Sequence, residues 1–417
     1  MTTRIKVAFL TFYFEAWDAL ADIHSQMLAD PRFEVTVIST SRRFTREASF
    51  AEEDLVSNFF DENGIEHLRF SDPDSFNDLA RLRELAPDYV FINYPWQRNY
   101  PPGLRAELLA EFTKICYVPY FSLQMVLEPD EIGVAPHIYE QRSHQLASLV
   151  FTQDAAVVDA YGKTSRGNAH VHLTGTPKLD ALMRQTLDGT ERWPLPKSGI
   201  WRMIWAPHHS HSPSWLNFGM FAEVFESMLE YAKNHRDLDI VMRPHPLMFK
   251  MLVDREVIAK AILDDWLTEW NALPNTAIDA DGDVAHLFAA SDFLVTDGIS
   301  FLGEYPLATG KPAIFMEKVG HWRFSPIGEL SAAANIRVAS FADLALALEH
   351  ATEHGLDDYS GPIAKLREAA VPFPGQAASK IIEIVVRDHE AATPLVDKRS
   401  ITELAWENRP GTEPAWD

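Results

Sequence analysis

The amino-acid sequence predicts an α/β protein made of two doubly wound, Rossmann-like domains. Short apolar runs bounded by turn residues, typical of strands buried on both faces, alternate with segments of helical spacing. One polar, proline-containing stretch without periodicity, Asp188 to Gly199, interrupts this alternation. The 417 residues also exceed what one hydrophobic core usually supports. We therefore expect a domain over residues 1–187, a linker over 188–199, a second domain over 200–388 and a tail over 389–417.

The first half of the sequence alternates seven candidate strands with five candidate helices. The turn after the first strand reads TFYFEAWDAL and has no glycine, so the dinucleotide-binding fingerprint is absent. The strands are Ile5 to Phe9, Phe33 to Ile38, Glu66 to Phe70, Asp88 to Ile92, Ile115 to Val118, Leu149 to Thr152 and His170 to Leu173. The helices are Trp17 to Met27, Asp54 to Asn63, Ser75 to Leu85, Leu104 to Phe112 and Asp154 to Tyr161.

Two segments of this half are open to a functional or a structural interpretation. The segment NYPWQRNYPP follows Ile92 at a strand's carboxyl end, where ligands bind in open α/β sheets, but it can equally be a loop that packs its own aromatic side chains. The segment GTPKLDAL places Lys178 and Asp180 after a turn. These two residues either orient a substrate between the domains or form a helix cap and a hinge.

The second half of the sequence repeats the alternation, and two such domains facing one cleft make up the GT-B architecture. Its strands are Trp201 to Trp205, Leu238 to Met242, Thr276 to Ile278, Phe293 to Val295, Pro312 to Phe315 and Ile336 to Val338. Its helices are Met220 to Tyr231, Phe249 to Trp266, Val284 to Ala289, Ser300 to Thr309, Phe341 to Glu353 and Ala377 to Val386. The tail is polar and proline-interrupted, and we expect its Trp406 and Trp416 to dock on the domains.

The amino-acid composition limits the kinds of molecule that this protein is expected to bind. Lys and Arg total 37 against 60 Asp and Glu, a net charge of -23, so broad attraction to nucleic acid is not expected and membrane contact is at most peripheral. The single cysteine, Cys116, excludes a disulfide within the chain and fits a reducing compartment. The first apolar run is far shorter than a membrane span and lacks a signal-cleavage pattern. We expect a cytoplasmic protein, either free or at the inner face of the membrane.

A turn between a strand and a helix in the second half has the features of an anion site. Thr296, Asp297, Gly298 and Ser300 lie where the strand ends and the helix begins, and backbone N–H groups at a helix start lack partners within the helix. A phosphate fits such a turn, and Glu304, one turn further on, can accept a hydrogen bond from a ribose hydroxyl. Helix capping by Asp297 and Ser300 is the structural alternative.

Two further strands of the second domain end in turns that contain histidine. His208, His209 and His211 follow the first strand, while Arg243 and His245 follow the next. A zinc site is one interpretation, but HHSH has no fixed helical spacing and no cysteine or acidic residue close by, so we expect no metal. We instead expect His245, between two prolines, to face the phosphate site, where a protonated imidazole or the guanidinium of Arg243 would stabilise charge on a diphosphate.

The motifs WAPHHS, RPHP and SDFLVTDGISFLGEYPLATGKP, in that order, resemble those of the CDP-glycerol glycerophosphotransferase family, which acts in teichoic acid and capsule polymer synthesis. The opening IKVAFLTFYFEAWDALADIHSQMLADPRFEVTVIS and the stretch TGTPKLD are also similar to that family. The resemblance implies a GT-B fold with an amino-terminal acceptor domain and a carboxyl-terminal nucleotide-donor domain. It also implies CDP-glycerol or a related nucleotide donor as substrate, with no tightly bound cofactor. The phospho-alditol would move to a hydroxyl of a polyol or glycan acceptor, which could be lipid-linked, with release of CMP.

The resemblance assigns roles to several residues and leaves one role unfilled. By motif, His245 matches a histidine near the donor diphosphate, and Asp297 with Ser300 matches a phosphate-binding turn. The family's second histidine, in the amino-terminal domain, has no counterpart, because Tyr117 to Tyr120 reads YVPY. The candidate acceptor bases are then His208, His209 and Asp18.

Two other functions compete with the transferase. A GT-B glycosyltransferase or sugar-nucleotide epimerase would place the diphosphate of a nucleotide sugar in the same cleft. A non-catalytic nucleotide-binding scaffold is consistent with the missing histidine.

Overall fold

The computed structural model describes residues 4–43, 49–127, 139–196, 200–212, 215–245, 248–280 and 284–401. Within them, thirteen strands form two fully parallel sheets. The first lobe contains β1 (Ile5–Thr11), β2 (Phe33–Thr40), β3 (Leu68–Phe70), β4 (Tyr89–Ile92), β5 (Lys114–Tyr117), β6 (Leu149–Thr152) and β7 (Val171–Leu173). The second lobe contains β8 (Trp201–Ala206), β9 (Leu238–Met242), β10 (Thr276–Ile278), β11 (Phe293–Thr296), β12 (Ile314–Met316) and β13 (Ile336–Val338). The predicted pair of doubly wound sheets is confirmed.

Helices cover both faces of each sheet. Those that follow strands of the first lobe are α1 (Asp18–Ala29), α2 (Glu53–Glu62), α3 (Ser75–Leu85), α4 (Ala106–Leu109), α5 (Arg142–Leu146), α6 (Ala155–Tyr161) and α7 (Pro177–Leu187). Those that follow strands of the second lobe are α8 (Phe221–Asn234), α9 (Met248–Asp254), α10 (Lys260–Ala272), α11 (Val284–Ala290), α12 (Ile299–Thr309), α13 (Pro326–Ala333), α14 (Phe341–His354), α15 (Ser360–Ala370) and α16 (Ala377–Glu390). None of these helices is long and apolar enough to cross a membrane.

The central strands are apolar on both faces, because each face meets a different layer of helices. In β1, Val7 and Phe9 belong to one core cluster, and Ala8 and Leu10 belong to another. This alternation follows from the period of two along a strand. It explains why continuous apolar runs correctly predicted buried strands.

The last helix leaves the second lobe and packs on the first. Ile381, Ile382 and Val385 of α16 lie in the core cluster that contains Phe9 of β1, and full burial of such side chains contributes about 1.5–3 kcal/mol each. The carboxylate of Asp388 also pairs with the first lobe, through Lys114. The predicted boundary at residue 388 grouped this helix with the second domain, and the packing instead joins it to the first sheet.

The predicted helix from Phe249 to Trp266 is wrong, because the structure has two helices, α9 and α10, in its place. Glu256 adopts a positive φ of 55°, and the N–H of Val257 bonds back to the carbonyl of Leu252, which ends α9 as a glycine cap would. Ile258 then turns into the core. No glycine marks this break, so the residues alone gave no stop signal.

Four further helices escaped prediction: α5, α7, α13 and α15. In α7, Pro177 is the first helical residue, where a missing N–H costs nothing, so the segment read as a turn continues as a helix of 11 residues. Trp406 and Trp416 lie outside the described residues, as does residue 199 at the end of the predicted linker.

Candidate functional site

The second sheet has one position where the strand order reverses. Its order is β10-β9-β8-β11-β12-β13, so the chain leaves β8 toward one edge and returns through β11 toward the other. The connections after β8 and β11 therefore go to opposite faces and leave a crevice at the carboxyl ends of these two strands, which is where ligands bind in open α/β sheets. The turns with His208 and with Asp297 both lie at this crevice.

Asp297 links these turns from a buried position. One carboxylate oxygen accepts the backbone N–H of His208 at 2.6 Å, and the other accepts the N–H of Met220, directly before α8. Burial raises the pKa of Asp297 to about 7, although its two backbone hydrogen bonds act in the opposite direction. The carboxylate of Asp297 therefore connects the start of α12 to the turn that carries His208 and to the start of α8. It does not cap α12.

The start of α12 has no side-chain cap. Its N-cap residue is Gly298, and Ser300 is exposed in the first turn. A Cβ atom on Gly298 would lie in ordinary contact with the His208 ring, at 3.6 Å, so the turn passes directly beside that imidazole. The first N–H groups of the helix, the Ser300 hydroxyl and the positive end of the helix dipole together form a candidate anion site.

Three imidazoles meet beside this helix start. His209 and His245 stack with ring centroids 3.7 Å apart, and His208 lies 4.4 Å from His209 and 5.6 Å from His245. We call His208, His209 and His245 the histidine cluster. The two turns that carried histidine in the sequence are thus brought together, at the edge that also carries Gly298.

The surroundings of His208 determine which ring nitrogen carries its proton. The backbone N–H of Ser210 donates to Nδ1 at 3.2 Å, and the Ser210 hydroxyl lies 2.7 Å from the same atom. Because Nδ1 accepts, a neutral His208 carries its proton on Nε2, and no described residue bonds that nitrogen. His208 can therefore donate a hydrogen bond from Nε2 to a ligand oxygen.

The histidine cluster is neutral at neutral pH in the free protein. Burial lowers the pKa of His245 to about 4, and burial together with the neighbouring imidazoles lowers the pKa of His208 and His209. A protonated His245, one of the two expected sources of positive charge, is thus not present before a ligand binds. Arg243 follows β9, and Nη1 of its guanidinium bonds to the carboxylate of Asp279 at 3.3 Å, whereas the cation whose charge acts on His209 is Arg255.

His211 lies apart from the other three imidazoles, beside Gly219, where a Cβ atom would come within 2.7 Å of its ring. Within the described ranges, no group of three or more His, Cys, Asp or Glu side chains is arranged to hold a metal ion.

Glu304 faces the first lobe. It is buried on α12, and its Oε1 accepts a hydrogen bond of 2.6 Å from the hydroxyl of Ser122. Burial raises the pKa of Glu304, while the charge of Lys178 on α7 acts against that rise. Lys178 in turn pairs with Asp18 at 3.0 Å, at the start of α1. Lys178 is therefore the cation shared by two carboxylates, the buried Glu304 of the second lobe and the half-exposed Asp18 of the first.

Of the two residues singled out in the GTPKLDAL segment, Asp180 has a structural role. The carboxylate of Asp180 accepts the backbone N–H groups of Gly375 and Ala377, each at 2.9 Å, at the start of α16. Asp180 thus fixes the helix that returns to the first lobe, and Lys178 alone faces the cleft.

A short extended segment fixes the two lobes to each other. Val126 forms an antiparallel bridge with Phe324, and Leu127 donates its backbone N–H to the carbonyl of Arg323 at 2.9 Å. Side chains of the same segment, including Leu123 and Met125, belong to the core cluster of the second lobe. The carboxyl edges of both sheets consequently border one cleft.

Comparison with known proteins gives the fold. No protein-family model matches the sequence, and no curated protein matches it. Among solved structures, UDP-GlcNAc 2-epimerase from Neisseria meningitidis bound to UDP-GlcNAc matches with a TM-score of 0.62 and 13% identity, over 92% of this chain and 100% of that chain. A variant of the wall teichoic acid polymerase TagF soaked with CDPG matches with a TM-score of 0.60 and 13% identity, over 93% and 90%. The S. aureus MnaA-UDP structure matches with a TM-score of 0.58 and 15% identity, over 93% and 98%.

The chain has the GT-B fold. The predicted architecture is confirmed, including the cleft between the two Rossmann-like lobes. At these identities the likeness shows the fold alone.

The GT-B cleft contains residues that the sequence did not single out. Ser210 fixes the tautomer of His208, Asp279 orients Arg243, and Ser122 holds Glu304. Ser210 could have been noticed, since it lies inside the HHSH turn. Asp279 and Ser122 follow strands β10 and β5, and only the packing of the GT-B lobes brings them to their partners.

Proposed function

We propose that this protein is a transferase that moves a glycerol-phosphate, or a similar alditol-phosphate, from a CDP-linked donor to a hydroxyl of a surface-polymer precursor and releases CMP. The proposal is supported by one observation above all: the uncapped start of α12 and the histidine cluster meet at the reversal point of the second sheet, and Arg243 follows the neighbouring strand β9. A diphosphate is the ligand whose charge and size suit that combination of donors.

The second lobe would act on the donor by position and charge. The acceptor oxygen attacks the β-phosphorus in line, a new O–P bond forms, and the bond from that phosphorus to the bridging oxygen breaks, so that CMP leaves with the electron pair. N–H groups of α12 and Nε2–H of His208 would donate to the phosphate oxygens, and the guanidinium of Arg243 would offset the charge that develops. A bound dianion would raise the pKa of His245 and allow it to donate a proton to the leaving phosphate.

Asp18 is the acceptor base that the geometry favours. His208 keeps its proton on Nε2, so that nitrogen donates, and its Nδ1 is held by Ser210. His209 is buried in the second lobe. The carboxylate of Asp18 is half exposed, with 49% of the side chain accessible, and lies at the carboxyl edge of β1 next to Lys178. In this position it would remove the proton of an acceptor hydroxyl bound to the first lobe.

A sugar-nucleotide epimerase is the second candidate. The GT-B neighbours include UDP-GlcNAc 2-epimerases whose whole length this chain matches, and the same anion site would hold the diphosphate of UDP. In that case Glu304, at the lobe interface, would lie near the sugar or the ribose, which is also where we expect the ribose of a CDP-linked donor. A scaffold without turnover is the third candidate.

One set of incubations distinguishes the three functions. The purified protein is supplied with CDP-glycerol or UDP-GlcNAc, together with glycerol or an oligosaccharide as acceptor, and CMP, UDP and the epimerised sugar nucleotide are quantified. We expect CMP from CDP-glycerol only. Conversion of UDP-GlcNAc to its epimer would refute the transferase, and binding of CDP-glycerol in calorimetry without turnover would favour the scaffold.

A matched pair of histidine variants ties the activity to the site. We expect His245→Ala to lower CMP release about 100- to 1,000-fold, the usual loss when a group that stabilises the transition state is removed. His350→Ala removes a half-exposed imidazole on α14, outside the cleft, and should retain full activity. Equal activity of the two variants would refute the assignment of His245.

A further inference from the structure

Four aromatic side chains gather at the carboxyl edge of the first sheet. Tyr13 follows β1, Tyr94 and Trp96 follow β4, and Tyr120 follows β5. Their ring centroids are 4.9 Å apart for Tyr94 and Trp96, 5.0 Å for Tyr13 and Tyr94, and 5.3 Å for Tyr94 and Tyr120. Tyr120 also lies 5.6 Å from Tyr13 and 5.9 Å from Trp96. We call these four residues the aromatic quartet.

The quartet lies where a ligand is expected in this sheet. The strand order β3-β2-β1-β4-β5-β6-β7 reverses between β1 and β4. The connections after those two strands diverge and leave a crevice, as they do between β8 and β11 of the second lobe. The quartet therefore lines the first lobe's crevice and faces the same cleft as the histidine cluster.

The quartet differs from the core aromatic residues of the same lobe in its exposure. All four of its side chains are partly exposed, whereas Phe9, Phe91 and Tyr117, on the strands directly beneath, are 0–1% exposed. Since each of these rings keeps part of its apolar area in contact with water, a ligand that covers them gains the free energy of burying that area.

The loops that carry the quartet are held in place by their own hydrogen bonds. The Asn93 side chain donates to the carbonyl of Ala16 at 3.0 Å and so joins the loop after β4 to the loop after β1. The Tyr100 hydroxyl donates to the carbonyl of Tyr94 at 3.2 Å. A rigid platform of this kind loses little conformational entropy when a ligand binds.

Charged groups of the cleft border one side of the quartet. The charges of Lys178 and Asp18 act on the Tyr13 hydroxyl, whose pKa burial raises to about 12. Lys178 bonds to Asp18 at 3.0 Å and also faces Glu304 of the second lobe. A ligand on the quartet would thus lie beside the proposed base and toward the donor lobe.

We propose that the aromatic quartet is the acceptor subsite and that it stacks on a pyranose ring, so that the acceptor is a glycan and not a ring-less chain of alditol phosphates. This inference rests on the proposed function. The flat C–H face of a sugar matches an aromatic surface. A flexible polyol chain would cover the rings less well and would lose more conformational entropy on binding.

The test measures carbohydrate binding directly, without any donor. Maltotriose, tri-N-acetylchitotriose and a glycerol-phosphate trimer are titrated into the full chain, and saturation-transfer NMR reports which ligand protons contact the protein. We expect at least one trisaccharide to bind and the glycerol-phosphate trimer to bind more weakly. We expect Tyr94→Ala and Trp96→Ala to weaken trisaccharide binding at least tenfold.

Ring-preserving and remote variants serve as controls. Tyr94→Phe and Trp96→Phe keep a stacking surface and should change the affinity less than threefold. Phe76→Ala removes an aromatic ring that is 54% exposed on α3, outside the cleft, and should have no effect. Calorimetry with CDP-glycerol should give one dissociation constant for all of these proteins, since the quartet lies in the other lobe.

Three outcomes would overturn the inference: no trisaccharide binding up to about 10 mM, trisaccharide binding that the alanine variants leave intact, or preferential binding of the glycerol-phosphate trimer. The failure of the proposed function looks different. If CDP-glycerol neither binds nor turns over but the trisaccharide binding follows the quartet, the donor assignment alone is wrong. If the alanine variants transfer glycerol phosphate to a ring-less acceptor and release CMP at the full rate, the quartet assignment alone is wrong.

Discussion

The Asp297→Asn variant gives the sharpest physical test of the site. The wild-type carboxyl is buried, and its pKa rises from 3.8 to about 7 on folding. A group whose pKa is raised in the folded state contributes stability that is fully present below its unfolded pKa and is lost as the pH rises through its folded pKa. Asparagine has no such titration, so it removes this dependence and keeps nearly the same shape.

The magnitude follows from the pKa. Each pKa unit corresponds to about 1.4 kcal/mol, so the wild type should lose about 2 kcal/mol of this contribution between pH 5.5 and pH 8, most of it below pH 7. The amide also turns an NH₂ group toward the backbone N–H of His208 or Met220, since an amide oxygen can serve only one side. That mismatch should cost about 1–3 kcal/mol at every pH.

The assay is urea denaturation of both proteins at pH 5.5 and pH 8, followed by tryptophan fluorescence. Contributions from histidines are common to both proteins and cancel in the difference between their free energies of unfolding. We expect that difference to change by about 2 kcal/mol between the two pH values, in favour of the variant at pH 8. A difference constant within about 0.5 kcal/mol, the usual reproducibility of such comparisons, would refute the buried-carboxyl argument.

Three further predictions test other parts of the molecule. The histidine cluster is neutral in the folded protein. Its contribution to the free energy of unfolding is therefore present above pH 6.5 and is lost as the pH falls toward the folded pKa of His245, which is about 4. The urea midpoint of His245→Asn should therefore depend less on pH below 6.5 than that of the wild type, and equal dependence would contradict the prediction. A Cβ on Gly328 would lie 2.0 Å from a backbone oxygen of the first lobe, whereas one on Gly361 meets open space. Gly328→Ala should then cost about 3 kcal/mol by thermal denaturation, whereas Gly361→Ala should gain up to about 1 kcal/mol. Lys178→Met leaves Glu304 buried beside no matched cation and should cost about 3 kcal/mol. In a double-mutant cycle with Glu304→Gln we expect a coupling above about 0.5 kcal/mol, and additivity would show that the two side chains do not interact.

The lobe interface also bears on the proposed donor site. Glu304 bonds to Ser122 across the cleft in the free protein, although it is also the residue expected to meet the donor ribose. A bound nucleotide would then compete with, or add to, a contact between the lobes. Donor binding and the relative position of the lobes would be linked through this single carboxylate.

The architecture could be predicted from the sequence because it depends on local patterns. Buried strands such as β1 and β4 are continuous apolar runs, and their alternation with helical spacing admits few topologies once right-handed crossovers are assumed. The histidine turns and the Asp297 turn were likewise predicted at the same sheet edge, since the carboxyl ends of parallel strands share one edge. The missed helix end at Glu256 shows the limit of this reasoning, because an interaction with the core replaced the usual glycine signal.

The sequence by itself determined two doubly wound sheets, the edge that carries the candidate site, and a strongly acidic chain that must hold any phosphate locally. Only the tertiary structure decided that the imidazoles stack and stay neutral, that Asp297 joins two turns instead of capping its own helix, and that α16 crosses back to the first lobe. The physical reason is that strand and helix periods are properties of neighbouring residues. Burial, protonation and pairing depend instead on side chains that are distant in sequence and come together only when the two sheets pack.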